Sequence, residues 1–315
     1  MRRPVRHVLV ALLVLAAAGC SSDGGDAGAR GPDRSSPAPR PPASTEPPAG
    51  TASPGTPPSA SASGPSPGRT TATPGPGASP GPGGRWQPRP GLAWQWQLDG
   101  RVDPSVDVPV YDIDGFENSA ADVAGLKRDG RRVICYINAG AWEDYRPDQE
   151  DFPRSVLGSP NGWHGERWLD IRQMDVLRPL MERRFDMCRD KGFDAVEPDL
   201  LEGYANDTGF PLSADDQLRY NLMIAEIAHA RGLAVGLKND LAHVPVLVDH
   251  FDFAVNEECA EFDECERLEP FVAAGKAVFH VEYEERTEEF CADSRDLGLS
   301  SMRKRLDLDV WRDPC

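Results

Sequence analysis

The chain has 315 residues, with 51 Asp and Glu against 34 Lys and Arg, a formal charge of −17. Eight of the basic and four of the acidic residues precede Trp86, so residues 86–315 hold 26 basic and 47 acidic side chains and a charge near −21. A surface of that sign repels nucleic acid and anionic lipid, and neither is expected as a partner. Cationic ligands would be attracted instead.

The first twenty residues, MRRPVRHVLVALLVLAAAGC, have a basic start, an apolar stretch from Val8 to Ala18 and small residues before Cys20. That is the layout of an export signal rather than a membrane span. The ending AAGC resembles a bacterial lipobox, in which the cysteine is lipidated and becomes the new N-terminus, although Ala17 stands where Leu is more usual. Lipidation at Cys20 would anchor the protein to the outer face of the cell membrane, its only membrane contact, and ordinary cleavage would free it. From Ser21 to Arg85 there is no Val, Ile, Leu, Met, Phe, Tyr or Trp, and Pro, Gly, Ser, Thr and Ala dominate. Such a segment cannot offset the entropy of ordering and reads as a disordered linker. Residues 86–315 then form one domain, with no second linker, no internal repeat and no sign of an oligomer, so a monomer is expected.

With Cys20 set aside, six cysteines remain, and an even count in an oxidising compartment points to as many as three disulfides. Cys259 with Cys265 and Cys291 with Cys315 are plausible local closures, which leaves Cys135 with Cys188. This is a preference among fifteen pairings.

Short apolar runs recur along the domain: WQWQL at 94, VPVYDI at 108, RVICYI at 132, RWLDI at 167, DAVEPD at 194, AVGLKN at 234, DFAVNE at 252 and AVFHVE at 277. Amphipathic helical stretches lie between several of them, clearest in VLRPLMERRFDMCRDKG and in SADDQLRYNLMIAEIAHARG, where Ser213 is a candidate N-cap. Eight strands alternating with helices predict a (β/α)₈ barrel of the TIM type. The nine residues 99–107 are too few for a crossover helix and residues 140–166 are irregular, so the barrel is expected to be distorted. The alternative is an open doubly wound sheet, but no Gly-rich phosphate loop follows any strand.

In a barrel the ligand site lies at the C-terminal strand ends. Carboxylates gather there: Asp112 after the second run, Glu143 beyond the third, Glu197 and Asp199 in the fifth, Glu257 and Glu258 in the seventh, Glu282 in the eighth. Lys238 closes the sixth. Trp94, Trp96, Tyr111, Tyr136, Trp142, Tyr204 and Tyr283 supply flat rings that stack on sugars. Glycoside hydrolysis needs one carboxylic acid to protonate the leaving oxygen and one carboxylate to attack or to activate water, and this rim offers many pairs. Competing chemistries lack their motifs: there is no HExxH, no metal-ligand spacing among the six His residues, no GxSxG, and DYRPDQEDF lacks the central Gly of a calcium loop. No metal or cofactor is expected.

CYINAGAWEDYRPD, GERWLDIR, KGFDAVEPDLLEGYANDTGFPLS, the AEIAHARGLAVGLKND stretch, FDFAVNEEC and GKAVFHVEY together resemble glycoside hydrolase family 114, the endo-α-1,4-polygalactosaminidases. The resemblance runs from about Trp94 to Cys315. It implies a (β/α)₈ barrel, cleavage of α-1,4-linked galactosamine-rich polysaccharide, cationic or partly N-acetylated, and a catalytic pair formed by the Asp of EPD and the first Glu of NE, here Asp199 and Glu257. Members often carry Asn after EPD and Gln after NE, whereas this chain has Leu200 and Glu258, and Glu258 competes with Glu257 for the acid role. Ala195, Glu197 and Asp199 share one strand face, and Phe253, Val255 and Glu257 share another, but parity does not say which face points inward. The expected roles are Asp199 as nucleophile, kept ionised by Lys238, and Glu257 as general acid and base, with retention of configuration. Asp112, Tyr136, Trp142, Glu143, Glu197, Tyr204, Asn206, Lys238, Asn239, Glu258 and Glu282 are the candidate substrate contacts. A carbohydrate-binding lipoprotein without turnover, or a glycosidase for another α-linked galactoside, are the alternatives.

Overall fold

A computed structural model of the protein describes residues 84–315. The export signal, Cys20 and the linker as far as residue 83 lie outside the described residues. Trp86, where the domain is expected to begin, is buried against the ring of Phe253.

Strands β1 (Trp94–Gln97), β2 (Val110–Asp114) and β3 (Arg132–Asn138) open the fold, with helix α1 (Ala120–Arg128) between the second and third. There follow β4 (Ala141–Glu143), β5 (Leu157–Pro160), β6 (Glu166–Leu169), α2 (Met174–Lys191), β7 (Ala195–Asp199) and α3 (Ala214–Ala230). The C-terminal half alternates β8 (Ala234–Lys238), α4 (Val244–Leu247), β9 (Phe253–Glu257), α5 (Glu269–Ala273), β10 (Val278–Glu282), α6 (Thr287–Asp296) and β11 (Ser300–Arg303), and ends in β12 (Asp313–Pro314). Local sequence explains several boundaries. Ser119 and Ser213 each accept a hydrogen bond from the backbone three residues on, in capping boxes completed by Asp122 and Asp216. Gly192 ends α2 in the left-handed conformation that suits a residue without Cβ.

Eight strands run parallel in the order β1-β2-β3-β7-β8-β9-β10-β11, and β12 adds to the edge of β11 antiparallel. Seven of the eight fall on the predicted runs, and the eighth changes place. RWLDI is not a barrel strand: Glu166–Leu169 sits between β4 and β5 in a separate antiparallel sheet, built by the irregular residues that follow β3. The eighth barrel strand is Ser300–Arg303, whose sequence SSMR has one large apolar side chain and so shows no apolar run.

The expected closed ring is a curled sheet with a seam. Among the described residues β1 pairs only with β2, and the gap to β11 is bridged by side chains and by the C-terminal segment. Trp94 Nε1 donates to Ser300 O (2.9 Å), Gln95 Nε2 donates to Val310 O (2.8 Å), and the Leu98 amide donates to Leu308 O (3.0 Å). The missing crossover helix between β1 and β2, foreshadowed by the short connection, leaves room for this tail.

Two apolar clusters settle the parity. Trp94, Trp96, Val110, Ile134, Ala195, Ala234, Phe253, Val255, Phe279 and Met302 fill the barrel interior. Ile113, Val133, Cys135, Val196, Val235 and Val278 face outward and pack against Leu126, Phe185, Ile224 and Phe271 of the helices. Glu197, Asp199 and Glu257 therefore point inward. Trp94, Trp96 and Tyr111 are buried in these clusters rather than placed at the mouth as stacking platforms.

The six cysteines pair as Cys135–Cys188, Cys259–Cys265 and Cys291–Cys315, with Cα separations of 6.0, 4.8 and 5.3 Å. The first ties β3 to α2, and the last fastens the seam-closing tail to α6. Removing the first with a Cys135→Ala, Cys188→Ala double substitution should lower unfolding free energy by about 4 kcal/mol, because its 53-residue separation constrains a long loop of the unfolded chain. Urea denaturation checks this; an unchanged midpoint would contradict it.

Candidate active site

Three neighbouring strands, β7, β8 and β9, deliver the centre. Lys238 Nζ lies 2.8 Å from Asp199 Oδ1, 3.2 Å from Glu197 Oε1 and 3.3 Å from Glu257 Oε2. One ammonium thus ties three carboxylates, with its face partner Trp96 4.9 Å away at the ring centroid. Exposure separates their roles: the side chain of Glu197 is fully buried and that of Lys238 is 2 % exposed, whereas Asp199 keeps 16 % and Glu257 24 %. Of these four side chains, only Asp199 and Glu257 keep surface on which to meet a substrate.

Burial opposes ionisation of Asp199, yet Lys238, the Tyr136 hydroxyl (2.8 Å to Oδ2) and the Leu200 amide (2.8 Å to Oδ1) outweigh it and hold the carboxyl below its usual range. Asp199 is a carboxylate at neutral pH. Burial likewise disfavours the Lys238 cation, but Asp199, Glu257 and Glu197 overcome it and keep the ammonium charged. Tyr283 donates to Glu257 Oε1, and Asn239 Nδ2 lies 3.4 Å from Oε2. Burial and then the adjoining carboxylates push the Tyr136 and Tyr283 hydroxyls well up, so both remain donors.

Beneath this layer, Trp96 Nε1 donates to Glu197 Oε2 (3.0 Å), and Asp112 lies against Glu197. Both oxygens of Asp112 are buried with no other donor. Burial, then Glu197, pushes Asp112 well above the carboxylate range, and a proton on Asp112 satisfies both groups. The pair forms the floor and carries less charge than two carboxylates would.

The strand tips are strained in the same way. Leu200, Asn239 and Glu258, each directly after Asp199, Lys238 and Glu257, adopt φ of 59°, 51° and 61°. Left-handed backbone costs an ordinary residue on the order of 1 kcal/mol and is easiest for Asn. The two departures from the family pattern seen in the sequence, Leu200 and Glu258, thus occupy positions where geometry favours Asn. Opposite Leu200, Gly140 has no room for a side chain, since a Cβ would come 1.9 Å from Leu200 O. The amides of Ala139 and Gly140 donate to Asp199 O (3.1 and 3.0 Å) and fix its backbone.

The remaining sequence candidates divide. Tyr136, Glu197, Lys238 and Asn239 join Asp199 and Glu257, with Asp112 below. Glu258 leaves β9 through its left-handed turn, its amide bound to Val281 O (2.8 Å). Glu282 is brought elsewhere: it lies on the outer face of β10, where its Oε1 accepts from the Ala260 amide and sits 2.7 Å from His280 Nε2. Glu143 is buried in an ion-pair network with Arg146 (2.8 Å) and Arg184 (3.6 Å). The Trp142 indole donates to Gln149 O (3.0 Å) and packs on the outer core. The Tyr204 ring lies 5.3 Å from that of His243, tilted by 47°, and burial pushes its hydroxyl up to about 12. Asn206 donates to Glu202 O (3.2 Å).

Two carboxyls near the site escaped the sequence reading. Glu202, in the loop after β7, has a buried Oε2 with no partner; burial and Asp199 push it well above the carboxylate range. Glu166, at the start of β6, closes the irregular stretch 140–166, directly before the run RWLDI. Neither stands at a strand tip, the only place where position in sequence signals a site.

The pattern that defines glycoside-hydrolase family GH114 matches residues 76–315. The chain belongs to this family. The enzyme is a glycoside hydrolase, and similar solved structures agree with its fold. The crystal structure of Ega3 from Aspergillus fumigatus in complex with galactosamine is 37 % identical, covers 76 % of this chain and all of its own, and superposes with a TM-score of 0.70. The glycoside hydrolase domain of PelA from Pseudomonas aeruginosa is 15 % identical over 71 % of this chain and 98 % of its own, with a TM-score of 0.57, a likeness of fold. No curated protein matches the chain in sequence.

Proposed function

We propose that this GH114 enzyme cuts within α-1,4-linked galactosamine-rich polysaccharide, with Asp199 as nucleophile, Glu257 as general acid and base, and retention of configuration. The observation that carries the reading is the single Lys238 ammonium touching both exposed carboxylates. Asp199 Oδ1 and Glu257 Oε2 cannot be further apart than the 2.8 and 3.3 Å legs to Nζ laid end to end. For these two facing oxygens that limit falls below the roughly 6.5–9.5 Å separation of carboxyl groups in inverting enzymes, which supports the retaining reading.

In the first step Asp199 Oδ bonds to the anomeric carbon as the glycosidic C–O bond breaks and Glu257 gives its proton to the departing oxygen. In the second, Glu257 takes a proton from water, the water oxygen bonds to the anomeric carbon, and Asp199 leaves as carboxylate. Lys238 and the Tyr136 hydroxyl hold Asp199 ionised, while the Tyr283 hydroxyl and Asn239 orient Glu257. The galactosamine bound by Ega3 and the charge near −21 of residues 86–315 support a cationic polymer as substrate. Export, with Cys20 lipidated or the signal simply removed, belongs to the same proposal; three disulfides support an oxidising compartment, and the protein acts outside the cell as a monomer.

Reducing-end release from partly deacetylated α-1,4-galactosamine polymer tests this. Glu257→Gln should lower kcat about 10²- to 10⁴-fold and Glu258→Gln by less than tenfold. The reverse order would move the acid role to Glu258. Binding without release by the unaltered protein would leave a carbohydrate-binding module.

A further inference from the structure

Glu166 begins β6, directly opposite Glu143 on β4. Two like charges facing across a ladder repel, and only one of them is neutralised. Glu143 has the guanidinium groups of Arg146 and Arg184. Glu166 has neutral donors alone: Asn161 Nδ2 at 2.8 Å and Asn138 Nδ2 at 3.4 Å on Oε2, and the Tyr145 hydroxyl at 2.8 Å on Oε1. Among the described residues no Lys, Arg or His ion-pairs with it.

Its location joins it to the reaction centre. Asn138, whose side chain reaches Glu166, is the register partner of Asp199 across β3 and β7. Glu166 is half-buried and Tyr145, which caps it, is 45 % exposed, so the carboxyl is not sealed inside the core. The Tyr145 hydroxyl also lies 3.1 Å from Glu143 Oε1, and its one hydrogen cannot serve both carboxylates. Arg146 and Arg184 also pair with Asp114 and Asp148, so neither has a charge to spare for Glu166, which is left without a positive partner of its own.

We propose that Glu166 is a specificity residue that receives the ammonium group of a galactosamine unit held beside Asp199, and so favours free-amine over N-acetylated sugar. The inference rests on the function proposed above and deepens it. An ammonium supplies the missing charge to a carboxylate already positioned by three neutral donors. An acetamide offers one neutral N–H and adds a methyl and a carbonyl, so it leaves the carboxylate's charge uncompensated. Burial, and then Glu143, raises the Glu166 carboxyl to about 7, with Asp199 on β7 adding to the rise. Near neutral pH an arriving ammonium therefore displaces a proton from this group.

The test compares kcat and KM of the protein with those of Glu166→Gln and Glu166→Asp, on fully deacetylated and on N-acetylated α-1,4 oligomers. Glu166→Gln should raise KM about tenfold or more for the deacetylated chain, leave kcat within a few-fold, and leave KM for the acetylated chain unchanged. Glu166→Asp keeps the charge and should retain most of the preference. Calorimetric titration with galactosamine in two buffers should show proton release near pH 7 that Glu166→Gln abolishes. An equal KM rise on both chains, or none, overturns the assignment. If the unaltered protein cuts neither chain, the function is wrong, and galactosamine binding against galactose still decides the role of Glu166: equal affinities reject it, and a preference lost in Glu166→Gln sustains it.

Discussion

Replacing Asp199 by Asn lowers kcat by about four orders of magnitude or more, with little change in the affinity for polymer. The amide has the size of the carboxylate; its oxygen can still accept from the Leu200 amide, and its NH2 can donate to the Tyr136 oxygen in place of the bond it received, so the site keeps its shape. It cannot form the glycosyl ester, and what survives is the help given by binding and by Glu257. A fall in kcat with KM unchanged separates this from a folding defect. Activity within tenfold of the unaltered enzyme would remove Asp199 from the nucleophile role.

Lys238→Met has the second large effect, and it shows in stability as well as in rate. Methionine fills much of the stem's volume but leaves three carboxylates around a missing cation. Breaking a buried ion pair from one side costs about 3–5 kcal/mol. The pH dependence carries the sign of the effect. Asp199 is held below its unfolded value, so its contribution to stability is fully present above about pH 4 and is lost as acid titrates the folded carboxyl. Without Lys238, burial raises the group above its unfolded value instead. The variant's deficit should then be smaller at pH 5 than at pH 7, as protons replace the missing charge. Urea denaturation at the two pH values measures it; a deficit that grows toward pH 5 would mean that Lys238 does not hold Asp199 ionised.

The strand tips show what was legible in the sequence. DAVEPD, AVGLKN and DFAVNE announce strands by apolar alternation, and a barrel puts their ends on one rim, so Asp199, Lys238 and Glu257 could be grouped before any coordinates. Which face pointed inward was not readable, because both faces of a barrel strand are apolar; the separation into an interior and a helix-facing cluster decides it. Glu282 was misplaced for the same reason, since its partners His280 and Ala260 reveal an outward face only once α6 and the loop after β9 are packed. β11 escaped because Ser300 and Ser301 have little apolar surface to form a pattern. Glu166 was hidden because its sheet is formed by a long insertion after β3, where spacing gives no register. Even the departures at Leu200 and Glu258 acquire meaning only from their positive φ.

The central claim is that Asp199 attacks the anomeric carbon and leaves from it again, and proton NMR of the first product formed tests it most directly. Cleavage of an α-1,4-galactosamine oligomer should release a new reducing end that is α before mutarotation sets in. A β anomer appearing first would mean that water attacks directly, and Asp199 would then be a base rather than the nucleophile.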